Sequence, residues 1–169
     1  MKSLIHVVIY LMLFVVTPAV AAERFSTADE YGPHEKRVGA GFYLGDPTGV
    51  TVKGYLTPDL ALDGIFSWSF IDDAFTIISD VTYDFFDIPV GAKGFTMPFY
   101  AGFGGKLGFD RHGKNDGKTI FAFRAPFGPA LQFVRVPVEL FLEVSPGLQV
   151  APKTEFDMTG GVGARFYFF

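Results

Sequence analysis

From Arg37 to the last residue, apolar and polar positions alternate with a period of two, the pattern of strands that bury one face. In the run 37–44, Val38, Ala40, Phe42 and Leu44 share one face, while Arg37, Gly39, Gly41 and Tyr43 share the other. Gly45-Asp46-Pro47-Thr48-Gly49 follows with turn chemistry. The run 50–56 sets Val50, Val52 and Leu56 against Thr51, Lys53 and Tyr55, and 60–69 sets Leu60, Leu62, Phe66 and Trp68 against Ala61, Asp63, Ser67 and Ser69. Beyond a loop at Ile71-Asp72-Asp73, the run 75–85 alternates Phe75, Ile77, Val81, Tyr83 and Phe85 with Thr76, Asp80, Thr82 and Asp84. A connection over 87–97 leads to a fifth run, 99–109.

The sixth run, 119–133, contains Pro126 and Pro129. Proline cannot donate to a ladder, so a bulge or an irregular stretch is expected there. The seventh run, 138–148, alternates Val138, Leu140, Leu142 and Val144 with Glu139, Phe141, Glu143 and Ser145, and the eighth begins at Phe156. A tilted strand that crosses a bilayer needs roughly 9–11 residues. Eight is an even number and the smallest usual for bacterial barrels. The pattern predicts an all-β fold, an eight-stranded antiparallel up-and-down transmembrane β-barrel over 37–169.

The first residues add a direction. Lys2 precedes an apolar stretch interrupted only by His6 and Tyr10; Pro18 ends it, and Ala19-Val20-Ala21 supplies a small-x-small pattern. This predicts a signal peptide over 1–22, cleaved after Ala21 or Ala22, because the stretch falls short of the roughly 20 residues of a spanning helix. Positions 23–36 are polar and contain Gly32-Pro33, which reads as a periplasmic lead-in with little fixed structure. With that end in the periplasm, the connections near Asp46, Asp72, Asp116 and Lys153 face outward, among them the most polar loop, 110–118.

Composition changes the picture in two places. The chain carries 21 Phe, more rings than a small aqueous core hides easily, whereas a barrel in lipid carries apolar residues outside and aromatic residues at its rims. The net charge of −4 removes the basic footprint that nucleic-acid binding requires. The absence of cysteine excludes a disulfide framework and a thiolate metal site.

Strand parity also sorts the charges. Arg37, Lys53, Lys106, Arg124 and Arg165 fall on the face opposite the apolar one, together with Asp63, Asp80, Asp84, Glu139, Glu143 and Asp157. In an eight-stranded barrel this face points into an interior that side chains just fill. Unpaired charge there is costly, so the near balance of signs predicts a paired network in a closed lumen, with inward glycines leaving room for the long side chains. The competing reading of the same charges is an ion path or a catalytic site.

Other candidate chemistry is thin. His34 and His112 stand alone in loop-like segments, and neither offers a metal or triad constellation. Ser67 and Ser69 lie near a rim, as in some lipid-modifying barrels, but have no strand histidine beside them. Gly102-Phe103-Gly104-Gly105 lacks the helix that a phosphate loop needs. Residues 110–117 lack the acidic spacing of a calcium loop. No catalytic residue, cofactor or metal is expected.

The whole of this plan resembles the small eight-stranded outer-membrane barrels, of the kind seen in the transmembrane domain of OmpA and in OmpX. Val38-Gly39-Ala40-Gly41, Gly45-Asp46-Pro47-Thr48-Gly49, Leu62-Asp63-Gly64, Arg124-Ala125-Pro126 and the stretch from Val138 to Gly147 are similar to a group of small barrels from spirochaetes and predatory bacteria. The resemblance implies the fold, an outer-membrane location and, in some members, adhesion or host-factor binding. It implies outer-membrane lipid, the barrel-assembly machinery and periplasmic chaperones as partners, and no catalytic residue. One feature departs from the pattern: Phe169 shares parity with Arg165, so it is expected to point inward unless the last residues bulge, leaving Phe166 and Phe168 at the lipid-side rim.

The expected function is therefore that of an integral, non-enzymatic outer-membrane barrel with a structural or surface-interaction role. A soluble periplasmic barrel carrying a lipid or another apolar ligand is the alternative, and it inverts the two faces. A narrow channel is the second alternative.

Overall fold

The computed structural model describes residues 32–69, 74–91, 94–110 and 118–169. The predicted signal peptide, most of the lead-in, the loops at Ile71-Asp72-Asp73 and 111–117, His112, and the side chains of His34 and Ser69 lie outside what is described.

Among the described residues the alternating runs become ten strand segments: Val38–Asp46 (β1), Gly49–Tyr55 (β2), Leu60–Ser69 (β3), Ala74–Asp87 (β4), Phe95–Thr96 (β5), Pro98–Asp110 (β6), Lys118–Arg124 (β7), Phe127–Phe133 (β8), Val138–Ala151 (β9) and Glu155–Tyr167 (β10). Every pairing is antiparallel, and each long strand pairs with its neighbours in sequence. The last strand returns to the first, with Gly39 opposite Tyr167 and Asp46 opposite Gly160, so the sheet closes. Closure removes the exposed ladder that an edge strand would present.

β7 and β8 are two halves of one barrel strand. Arg124 stands opposite Gly104 on one side and Gly147 on the other; three residues later Phe127 stands opposite Ala101 and Val144. The register therefore passes through Ala125-Pro126 without a slip. The break is local: Ala125 donates its N–H to Pro146 O at 2.9 Å, and Pro126 accepts from Gly102 N at 2.8 Å. This is the irregularity expected from the two prolines, and it leaves an eight-stranded, closed, antiparallel β-barrel. Among the described residues no helix is long and apolar enough to cross a membrane, which does not bear on strands.

Besides the terminal residue, three features differ from the sequence reading. The register of β4 shifts between Asp84 and Phe86, so Phe85 and Phe86 both face outward, at 61% and 60% exposure. The connection after β4 contains β5, which extends the wall by pairing Phe95 with Phe133 of β8. The end of the lead-in has fixed structure: Pro33–Glu35 forms a single 3-10 turn with Pro33 buried, and Glu35 donates to Gly32 O. Gly32 has φ +81°, and a Cβ there would lie 2.8 Å from the Tyr55 ring, so the turn is fitted against the end of the barrel.

The parity of the faces is as read. Phe42 (70% exposed), Trp68 (62%) and Phe103 (62%) point out, while Tyr43, Tyr100 and Tyr167 are buried in the lumen. Phe169 is a correction. β10 ends at Tyr167, the last inward side chain, and Phe169 is 77% exposed with its ring edge-on to Phe168. Its backbone still serves closure, because Phe169 O accepts from Val38 N at 2.9 Å while Phe168 N donates to Val38 O. Having left the pleat, the terminal ring is free of the parity that would have turned it inward.

Candidate functional site

The lumen is built from every second residue of the eight strands, and two arginines organise it. Arg165 on β10 is buried, although the cost of taking a guanidinium out of water is several kcal/mol, and the geometry must repay that cost. Its Nη1 donates to Glu139 Oε1 on β9 at 2.9 Å. Its Nη2 reaches across β1 and β2 to Asp63 on β3, at 2.7 and 2.5 Å from the two carboxylate oxygens. Nε and Nη2 also donate to Thr51 Oγ1 on β2, at 3.1 and 2.8 Å. The planar fork of arginine suits such a three-way clamp better than an ammonium would. Below it lies the Phe141 ring, whose centroid is 3.8 Å from Cζ and which stacks in turn on Tyr43.

Arg124 on β7 forms the second node. Its Nη2 binds Glu143 Oε1 on β9, and its Nε lies 3.4 Å from Asp80 Oδ2 on β4. Glu143 also accepts from Tyr43 Oη at 3.4 Å and from Tyr100 Oη at 3.3 Å. One carboxylate thus ties together β1, β6, β7 and β9.

Towards the rim where β1 begins and β10 ends, Gln132 donates to Glu139 Oε2 at 3.0 Å and to Tyr55 Oη at 2.9 Å, and Tyr55 donates to Asp84 Oδ2 at 3.1 Å. Lys53 Nζ lies 3.8 Å from Asp84 Oδ1, between the rings of Tyr55 and Tyr100 at 4.9 and 5.3 Å from their centroids. Towards the opposite rim, Lys106 and Asp157 pair at 2.5 Å.

Among the described residues, six ion pairs therefore join ten of the eleven charged residues singled out from the sequence. The eleventh, Arg37, lies half-buried just before β1, where its carbonyl accepts from Tyr55 N. Selecting by charge missed the neutral links, Tyr43, Thr51, Tyr55, Tyr100 and Gln132. Their signal was available, since each has the parity of the charged set. It also missed Ile65 and Ile78, which are buried inside with 1% exposure each.

The remaining candidates do not assemble into chemistry. The Ser67 hydroxyl donates to Thr48 O at 2.6 Å and so fastens the β1–β2 turn. Gly104 sits between Asp80 and Arg124 in the ladder. Among the described residues no cluster of three His, Asp or Glu side chains is placed to hold a metal ion.

Fold and lumen together define a class: a closed eight-stranded β-barrel, apolar outside and packed with paired charge inside. Comparison with protein-family models, with curated proteins and with solved structures finds no match. The likeness to the small outer-membrane barrels therefore has the eight-stranded closed plan as its support, and no matching relative.

Proposed function

We propose that the chain is an integral outer-membrane β-barrel, exported by its signal peptide, with a closed lumen and no enzymatic activity, that supports the envelope or presents its loops to a partner. The observation that carries this reading is the inverted polarity of the barrel. Phe42, Trp68, Phe85, Phe103 and Phe156 are each more than 60% exposed, while Arg124, Glu139, Glu143 and Arg165 are at most 2% exposed. Water-soluble monomers rarely expose a contiguous apolar surface larger than a few hundred Å². An apolar band around a polar interior is the arrangement that hydrocarbon favours.

The filled lumen supports a closed barrel over a channel. It also disfavours a soluble carrier, whose apolar ligand would need the space that Tyr43, Phe141 and the two arginines occupy. The test is fractionation of cells that express the full chain. The expected result is recovery with the envelope, release only by detergent, and a compact form that migrates faster on a gel before boiling than after. Recovery in the periplasm without detergent would overturn the reading.

A further inference from the structure

One side of the outer wall is not smooth. Phe42 on β1, Ala164 on β10, Leu140 on β9 and Leu131 on β8 are direct partners in one outward row. Ala164 is the low point of that row. Two residues along the strands, Leu44 and Leu142 belong to the next row. Between the rows lies a groove of about 520 Å³, lined by apolar residues throughout and floored in part by Gly163 and Ala130. The groove is low at Ala164, whose single methyl stands between the larger Phe42 and Leu140, and behind it the wall is closed by the Phe141 ring, which a Cβ on Gly163 would meet. Four strands at about 4.8 Å spacing make the groove roughly 14 Å long. Its volume is within the range of small-molecule sites.

We propose that this groove holds one acyl chain of a phospholipid from the leaflet on the side where β1 begins and β10 ends. The proposal rests on the bilayer reading above. The lining has no side-chain donor or acceptor, so an extended peptide would leave its backbone N–H and C=O groups unpaired at high cost, and a helix, about 10–12 Å across with its side chains, is wider than the roughly 7 Å between adjacent rows. The wall of a second barrel is convex and would touch the banks without filling the floor. An alkyl chain is narrow, flexible and free of polar atoms. The leaflet follows from the course of the groove, whose lining runs from the middle of β1 to Met97, just before β6 at the rim where β1 begins and β10 ends. Arg135, exposed in the turn between β8 and β9 at that same rim, offers a cation to the headgroup phosphate.

The test uses the full chain reconstituted with phosphatidylglycerol, returned to mild detergent and weighed intact by native mass spectrometry. Wild type is expected to retain one phospholipid. Ala164→Leu, which fills the low point, is expected to reduce that retention at least tenfold. Val81→Leu, on the outward face of β4, is expected to leave it unchanged. Equal retention by wild type and Ala164→Leu, with both showing the heat-sensitive compact form, overturns the groove site while leaving the bilayer reading intact. A dimer that Ala164→Leu dissolves overturns it in favour of a second copy. Failure of wild type to insert at all overturns the bilayer reading and the groove site together.

Discussion

Asp63 and Asp80 stand directly opposite each other on β3 and β4, and each turns to a different arginine. Asp63 is held by Arg165 from β10 and Asp80 faces Arg124 from β7. Like charges in direct cross-strand register repel, and at 5% and 2% exposure these two have little solvent to screen them. The pair is tolerable because two guanidiniums enter from opposite sides. Those same guanidiniums connect strands that the hydrogen-bonded ladder never brings together.

Removing Arg165 should therefore cost more than its own contacts. Arg165→Met leaves Asp63 and Glu139 buried without their cation, and breaking a buried pair in this way costs about 3–5 kcal/mol. Urea unfolding of the barrel in vesicles reads this directly. Combining Arg165→Met with Asp63→Asn should recover part of the loss, with a coupling of about 0.5–3 kcal/mol. Strict additivity would mean that the two residues do not act as a pair.

The aromatic filling of the lumen gives a steric test. Gly163→Val drives a side chain into the Phe141 ring, and overpacking of this kind costs about 1–3 kcal/mol. Phe141→Leu combined with Gly163→Val should restore part of it, measured by the same unfolding transition. A Gly163→Val barrel as stable as wild type would contradict the inward placement of Phe141.

On the outer wall the cost of charge should depend on depth. Phe103 lies near the middle of β6 and Phe109 near its end. In a bilayer, an arginine at the first position should cost about 2–4 kcal/mol and at the second about 0–1. Phe103→Arg and Phe109→Arg, compared by unfolding from vesicles, should separate accordingly. Equal and negligible effects would place that wall in water.

A lumen this full should not conduct. Planar-bilayer recordings of wild type should stay at background, because eight strands enclose just enough space for side chains and the two arginine nodes span it. Sustained unitary currents would overturn the closed-lumen account.

The parts of this architecture legible in the sequence are those that depend on parity. The period of two placed Lys53, Asp63, Arg124, Glu143 and Arg165 on one face, and the structure puts them in the lumen. The partner of each charge was not legible. Lys53 is the ladder neighbour of Asp63, yet its ion pair is with Asp84. Partner choice inside a barrel depends on how side chains reach across the lumen, and the order of residues along one strand does not encode that. Features that break the pleat were also hidden. The double outward phenylalanine at Phe85 and Phe86 requires the register shift in β4, and the exposed Phe169 requires the strand to end at Tyr167. The prolines marked irregularity at Ala125-Pro126, but only the pairings on both sides show that the strand continues through it.

Trp68 offers the most direct measurement of the central claim, since it is the one tryptophan of the chain and points outward from β3 at 62% exposure. Reconstituted in vesicles whose lipids carry bromine on their acyl chains, the protein should lose much of its tryptophan emission, while aqueous iodide should have little effect. Emission untouched by brominated lipid and strongly quenched by iodide would contradict the account.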